Sequence, residues 1–499
     1  MRLRLLLDEA EIFDKTTAND MEITGICSDS RHVAEGNLFV ALRGLHSDGA
    51  AHVGEAVARG ASFVVSERPV TGVPFLAVPD ARRALALLWD AWYGHPARGM
   101  TLIGITGTNG KTSTAFMLAA ILRLAGYSAA VVGTVSTDGQ GRPLSLAAEN
   151  PLANMTTPDP AVLYAHLARL REEGVTHAVM EVTSHALFFG KAAPLCFARA
   201  AFTNLTPDHL DFHGDMTSYY MAKRLLFSQC EQAVISLFNP YGQQLADSLE
   251  IPFLTVGRQN VSDVRAGGDR GVSFTLRTAE RALYLTLPIP GDFSVENAAL
   301  AAMLAVSLSI EGGVIARALR EFRGVPGRME RVAENSLDIS VFIDYAHTPD
   351  ALEKLLLTAR DLVQKGGRTV VLFGCGGDRD RTKRAVMGEI AARLADHVII
   401  TSDNSRSEDP MQIICQIVSG IPPQKAYTVI PDRASAIRHA IENAKAGDLI
   451  LLAGKGHEEY EIVGGERRPF CEGRLVKEAF RSRLRTQNGE DENKGEPTV

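Results

Sequence analysis

The apolar positions of this chain fall into short runs separated by longer stretches of helical spacing, the alternation expected where strands feed helices. In the first hundred residues, 37–41 (NLFVA) and 62–65 (SFVV) predict strands, with a helix over 52–59 between them. Gly94-His95-Pro96-Ala97-Arg98-Gly99 interrupts the pattern and reads as a linker. A buried strand over 101–105 (TLIGI) follows, then a glycine-rich turn and a helix over 111–124. Strand 129–133, helix 161–173, strand 177–181 and strand 199–203 continue the alternation, and a hairpin-like segment at 272–288 breaks it. Val325-Pro326-Gly327 marks a second boundary. Beyond it, strands 339–344, 368–374, 397–401 and 448–453 alternate with helices near 349–364, 381–395, 409–420 and 432–445. This pattern predicts the α/β class with mostly parallel, doubly wound sheets. It divides the chain into 1–98, 99–328 and 329–486, followed by 487–499 (QNGEDENKGEPTV), which has almost no apolar residue and is expected to be disordered.

Composition changes this picture little. A length of 499 residues suits three domains at roughly 100–200 residues each. Lys and Arg number 52 against 59 Asp and Glu, a formal charge of −7, and no basic stripe points to nucleic acid. None of the six cysteines (Cys27, Cys196, Cys230, Cys375, Cys415, Cys471) forms a CxxC pair, so neither a zinc knuckle nor a disulfide framework is indicated. Buried thiols are expected for most of them. The N-terminal MRLRLLLDEAEIF is too short in its apolar part for a secretory signal, and the apolar run 298–310 is too short to cross a bilayer. A cytoplasmic, soluble protein without stable membrane insertion is expected.

The chemistry begins at Gly104-Ile105-Thr106-Gly107-Thr108-Asn109-Gly110-Lys111-Thr112-Ser113, placed between a predicted strand and helix. Glycines there let backbone N–H groups face phosphate oxygens at the positive end of a helix. Lys111 would reach the β- and γ-phosphates, and the Thr112 hydroxyl would ligate Mg²⁺. The usual phosphate loop has Gly where this chain has Ile105, so the match is to a variant. Glu181 ends a predicted strand, where open α/β sheets gather their ligands, and is placed to hold Mg²⁺. The run 203–214 (TNLTPDHLDFHG) carries two acids and two histidines without zinc-ligand spacing and reads as a polar active-site loop.

Taken together, Gly107–Thr112, Glu181-Val-Thr-Ser-His185, Thr203-Asn-Leu205 with Asp208-His-Leu-Asp211, Asn297, Val325-Pro-Gly-Arg-Met-Glu330, Asp344-Tyr-Ala-His347 and Gly454-Lys-Gly-His-Glu458 resemble the Mur ligase family, in that family's order and over nearly the whole chain. Asp29-Ser30-Arg31, Thr156-Thr157 and Asp403-Asn404-Ser405-Arg406 resemble the branch that adds a third residue to the peptidoglycan precursor UDP-MurNAc-L-Ala-D-Glu. The resemblance implies a UDP-sugar-binding domain, a central P-loop ATPase and a Rossmann-like domain for the incoming amino acid. It implies an ATP-dependent ligase working through an acyl phosphate, with Mg²⁺ as cofactor and a monomer as its state. Lys111, Glu181, His209, Lys223, Asp344 and His347 are its implied catalytic residues. Gly107 to Ser113, Asn297 and Arg328 would bind ATP. Ser30, Leu45, His46, Ser47, Thr156, Thr157, Thr183, Ser184 and Lys191 would bind the UDP substrate. Arg379, Asp403, Asn404, Ser405, Arg406, Gly454 and Glu458 would bind the amino acid. Thr112, Glu181 and a carbamylated Lys223 would hold the metal.

The chain departs from the family's pattern at two places. The family's Asp-Asn-Pro-Arg run has Ser405 here, which frees the backbone before Arg406. Phe470-Cys471-Glu472 stands where Phe-Asp-Asp is common in the family. Arg406 suits an amino acid with a distal carboxylate, because guanidinium grips carboxylate through two parallel bonds. That favours meso-diaminopimelate over lysine or ornithine, which remain alternatives. A folylpolyglutamate synthetase-like ligase and an ATP-driven binding module are the competing readings.

Overall fold

The computed structural model describes residues 1–12, 21–44, 48–144, 155–268, 271–332 and 337–487. Leu45, His46 and Ser47, and the tail beyond residue 487, lie outside them. Three parallel-sheet units follow one another along the chain. The first is a four-stranded sheet in the order Gly25–Cys27, Asn37–Ala41, Phe63–Ser66 and Phe75–Ala77, with the helices Leu3–Glu9 and Ala81–Trp92 on its core. Asp80 caps the latter helix by accepting hydrogen bonds from the amides of Arg82 and Arg83.

The central unit has six parallel strands in the order Phe253–Val256, Cys230–Ser236, Phe197–Phe202, Thr101–Thr106, His177–Glu181 and Ala129–Val132. The chain leaves Thr101–Thr106 toward one edge and later returns to its other side. That strand and its neighbours therefore flank the topological switch point, where ligands collect. The helix Asp292–Ser307 is buried over most of its surface, which accounts for the apolar run read at 298–310. The hairpin expected at 272–288 has a third antiparallel strand, Val261–Ala266.

The C-terminal sheet runs Glu330–Arg331, Ser340–Asp344, Leu449–Ala453, Thr369–Phe373, His397–Ile400 and Tyr427–Val429, parallel except for its first strand. Its inner strands read as unbroken apolar runs because helices cover both faces. One contiguous core joins this unit to the central one, from Ile103 and Leu300 through Ala346 to Leu352 and Leu451. The expectation for the cysteines is corrected. Only Cys375 is buried, while Cys196 and Cys415 are exposed. Cys415 lies on the helix Pro410–Val418, whose Ile413, Ile414 and Ile417 form the buried face. Among the described residues, no helix is long and apolar enough to cross a membrane.

Candidate active site

The carboxyl ends of the central and C-terminal sheets face each other across a cleft of about 510 Å³. Gly107 follows the strand Thr101–Thr106 at φ +146°, where an added Cβ would stand 1.9 Å from Thr203 Oγ1. Gly110, at φ +84°, is the N-cap of the helix Lys111–Leu124 and offers no side chain to its first-turn amides. Lys111 Nζ donates to the carbonyls of Gly107 (3.0 Å) and Thr108 (2.8 Å). Burial pushes its ammonium pKa down, against the pull of Glu181 and Asp208. Asn204 Oδ1 accepts from the Asn109 amide at 3.0 Å, and Thr203 Oγ1 donates to the Asn109 carbonyl at 2.7 Å, so the third strand end holds the loop.

Thr112 Oγ1 donates to Glu181 Oε2 at 2.8 Å, and the Thr134 amide donates to Glu181 Oε1 at 2.9 Å. Arg328 reaches the same hydroxyl at 3.3 Å and lays its guanidinium 4.4 Å from the Tyr345 ring centre. This hydroxyl–carboxylate pair is a hard-oxygen donor set and fits Mg²⁺. Lys223 is 2% exposed; its Nζ donates to the Gly107 carbonyl at 2.8 Å and sits 4.5 Å from the Tyr219 ring centre. Burial, then the charge of Lys111, hold its pKa well below the ordinary lysine value.

Asp208 stands 3.4 Å from His209 Nε2, 4.0 Å from His347 Nε2 and 3.9 Å from Lys383 Nζ. Burial brings His347 down to about 4. His347 Nδ1 pairs with the Tyr345 carbonyl at 2.8 Å. Both Asp344 carboxylate oxygens accept backbone amides, from Met329 (2.7 Å) and Ala346 (2.8 Å). Asp344 therefore shapes the turn that presents Arg328 and His347.

On the C-terminal side, Asn404 Nδ2 donates to Glu458 Oε2 at 2.7 Å. Burial raises the Asp403 carboxyl pKa, but Lys455 and then Arg433 outweigh it and keep it below the usual value. Gly454, at φ +110°, lies where a Cβ would come 2.9 Å from Asp403 Oδ2. The freedom expected at Ser405 is not what the structure has. Ser405 is buried, and the Arg406 amide donates to the Ile462 carbonyl at 3.0 Å. Arg406 Nη1 donates to the Gly377 carbonyl at 2.7 Å, so the side chain remains in the cleft wall.

Most candidates read from sequence line this one cleft: Thr108 to Ser113, Thr156, Thr157, Glu181, Thr183, Lys191, His209, Asn297, Arg328, Asp344, His347, Arg379, Asp403, Asn404, Arg406, Gly454 and Glu458. Gly107, Lys223, Ser184 and Ser405 lie behind its wall. Ser30 is apart from it in the first unit, where its hydroxyl donates to Glu55 Oε2 at 2.7 Å. The first unit meets the Lys191 side of the cleft through Arg82, whose guanidinium stacks 4.3 Å from the Phe189 ring centre. Sequence reasoning missed Asp208, Lys383, Asp350 and Thr134 as site residues. Asp208 stood in a run already read as a polar loop. Lys383 and Asp350 look like ordinary first-turn helix charges, and Thr134 like a turn residue.

Three family models match in series: "Mur ligase family, catalytic domain" over residues 22–93, "Mur ligase middle domain" over 105–305, and "Mur ligase, glutamate ligase domain" over 327–456. A UDP-N-acetylmuramoyl-L-alanyl-D-glutamate–2,6-diaminopimelate ligase of Syntrophomonas wolfei is 41% identical over 480 residues, covering 93% of this chain and 96% of its own. The chain belongs to the Mur ligase family. Ligases of the same name from Geobacillus kaustophilus (41% identity, 97% and 100% coverage) and Synechococcus elongatus (43%, 90% and 92%) are similar over comparable lengths. A solved structure of a ligase of that name superposes with a TM-score of 0.67 at 30% identity, covering 97% of this chain and all of its own. Mycobacterium tuberculosis folylpolyglutamate synthase superposes at 0.62 with 19% identity, covering 82% and 96%, and at that identity the likeness speaks for the Mur ligase fold alone.

Proposed function

We propose that this Mur ligase joins meso-diaminopimelate to UDP-MurNAc-L-Ala-D-Glu at the expense of ATP, in the cytoplasm. The observation that carries the reading is the single cleft with a phosphate loop on one wall and Asp403, Asn404, Arg406 and Glu458 on the other. Residues 1–98 together with Ser30, Thr156, Thr157, Thr183, Ser184 and Lys191 would take the UDP-substrate, residues 99–328 the nucleotide and residues 329–486 the amino acid. Mg²⁺ bound by Thr112 and Glu181 would supply charge neutralisation on the phosphates. Lys111, Asn297 and Arg328 fix the triphosphate so that the γ-phosphorus faces the substrate carboxylate. Attack by that carboxylate releases ADP and leaves an acyl phosphate. Arg379, Asp403 and Glu458 then orient the amino acid so that its free amine meets the acyl carbon, and phosphate leaves from the tetrahedral adduct. Burial and the neighbouring Lys111 disfavour the charged form of Lys223 and so favour the neutral amine, the form that attacks CO₂; loss of a proton then gives a carbamate, an oxygen ligand beside the loop.

The test is competition among equal concentrations of meso-diaminopimelate, lysine and ornithine, with product and phosphate both measured. An Arg406 left without its carboxylate partner costs about 1–3 kcal/mol, roughly a 5- to 150-fold preference. Diaminopimelate should dominate the product. Predominant lysine or ornithine would overturn the substrate, and phosphate release without any acceptor would overturn the ligase reading.

A further inference from the structure

Behind the amino-acid wall of the cleft lie two fully buried cations, Lys455 and Arg433, that touch none of the proposed substrates' space directly. Arg433 opens the helix Arg433–Glu442 and is 1% exposed. Its Nη2 donates to the Ala453 carbonyl at 2.9 Å and its Nη1 to the Ser402 carbonyl at 3.4 Å. Those carbonyls are the last backbone acceptors before Gly454 and Asp403, so one guanidinium ties the roots of both pocket loops. Its counter-charge is Glu472, whose Oε1 accepts from Arg433 Nε at 2.8 Å. Lys455 Nζ donates to Asn404 Oδ1 (3.1 Å) and the Tyr460 carbonyl (2.8 Å), and stands 3.5 Å from Asp403 and 3.7 Å from Glu458. Its ammonium lies 5.5 Å from the Phe470 ring centre. The segment Phe470-Cys471-Glu472, which departs from the family's usual run, therefore contacts both cations.

We infer that Phe470 and Glu472 are positioning residues for the amino-acid pocket, acting through Lys455 and Arg433 to set the spacing between the Asp403–Arg406 loop and the Gly454–Glu458 loop. This rests on the reading of that wall as the amino-acid site. A guanidinium bonded to two carbonyls at fixed angles holds their separation, and a buried cation among Asp403, Asn404 and Glu458 fixes their side chains. Displacement of either loop alters the fit of the amino acid while leaving the phosphate loop, on the other sheet, unchanged.

The experiment compares wild type, Glu472→Asp, and the double variant Arg433→Met with Glu472→Leu. Replacing both partners by apolar residues of similar volume avoids the large cost of one unpaired buried charge, so the double variant folds and positioning can be read in it. Its KM for diaminopimelate should rise roughly 10- to 100-fold, with the KM for ATP and for the UDP-substrate unchanged in the folded variant, and its melting midpoint should fall only modestly, through the Ala453 and Ser402 carbonyls that lose their donor. Glu472→Asp, which keeps the charge, should recover most of that loss. Wild-type ligation in the same assay tests the underlying reading, and its absence overturns both. Ligation by wild type with an unchanged diaminopimelate KM in the folded double variant, or an equal rise in all three KM values, overturns the positioning role alone.

Discussion

At the scale of single residues, the cleft works by holding charge where solvent would otherwise screen it. Lys111 and Lys223 share the Gly107 carbonyl as a hydrogen-bond acceptor, at 3.0 and 2.8 Å, and Lys223 is further destabilised as a cation by Lys111. A second ammonium on that carbonyl is unfavourable, so Lys111 disfavours protonation of Lys223, and conversion of Lys223 to a carbamate would turn repulsion into attraction. Lys223→Ala should then lower kcat by roughly 100- to 1,000-fold, the scale for losing one pre-organised electrostatic group. Added acetate or formate should restore part of the rate, because a small carboxylate can occupy the space of the missing carbamate. Steady-state phosphate release with and without the acid checks this, and a rate in Lys223→Ala equal to wild type would contradict it. The same paired burial explains why these residues were only half legible in the sequence. The spacing around Lys111 is a recognisable phosphate loop. The family resemblance already grouped Lys223 with Thr112 and Glu181, whereas Asp208 and Lys383 come from separate elements, and only the fold shows that these two converge.

At the scale of elements, strand–helix alternation was the strongest signal, because a parallel strand covered on both faces must be a continuous apolar run. The expected helix over 111–124 and strands over 37–41 and 177–181 coincide with Lys111–Leu124, Asn37–Ala41 and His177–Glu181. The helix Leu3–Glu9 and the hairpin Tyr460–Val463 with Glu466–Pro469 carry little such signal. The hairpin is exposed along its second strand, so its pattern is not apolar, yet its Ile462 carbonyl fixes Arg406. Helix starts matter to the site because they follow its loops directly. Thr348 caps the helix Pro349–Leu362, its buried Oγ1 accepting from the Ala351 amide at 3.3 Å, and it immediately follows His347. Thr348→Ala should cost about 1 kcal/mol of stability, read as a lower urea midpoint, and Thr348→Ser should restore it. A midpoint unchanged by Thr348→Ala would mean that the cap contributes nothing to this element.

At the scale of the whole molecule, the central and C-terminal units share a core but meet across the cleft through polar bridges. Asn109 Nδ2 donates to Asp350 Oδ2 at 2.9 Å, Arg328 reaches Thr112, and Asp208 faces both His347 and Lys383. Four histidines, His185, His209, His213 and His347, crowd this junction among Lys111, Lys223 and Arg328, and burial lowers the pKa of each. His213 falls to about 4, first through burial and then through His185 and Lys223, while its Nε2 pairs with Ser184 Oγ at 3.0 Å. In the unfolded chain a histidine titrates near 6.5. Between about pH 4 and 6.5 the unfolded state therefore binds more protons than the folded state, and stability rises with pH across that window. Acidification removes the contribution, which is complete only above about 6.5. The carboxylates pull in their own ranges: Asp208 and Asp29, held near 2, lose stability only below about 4, whereas buried Glu296 and Glu458, raised above the usual carboxyl value, oppose the histidines just above it. Because these terms overlap in wild type, the histidine contribution is isolated by difference. His213→Asn keeps a side chain able to bond Ser184 but cannot take up a proton. Its urea midpoint, set against wild type at a series of pH values, should gain on wild type as pH falls from 6.5 toward 4 and run parallel to it above 7. A constant offset across the whole range would mean that His213 binds its proton equally in both states, and that its burial among the cleft cations has no energetic consequence.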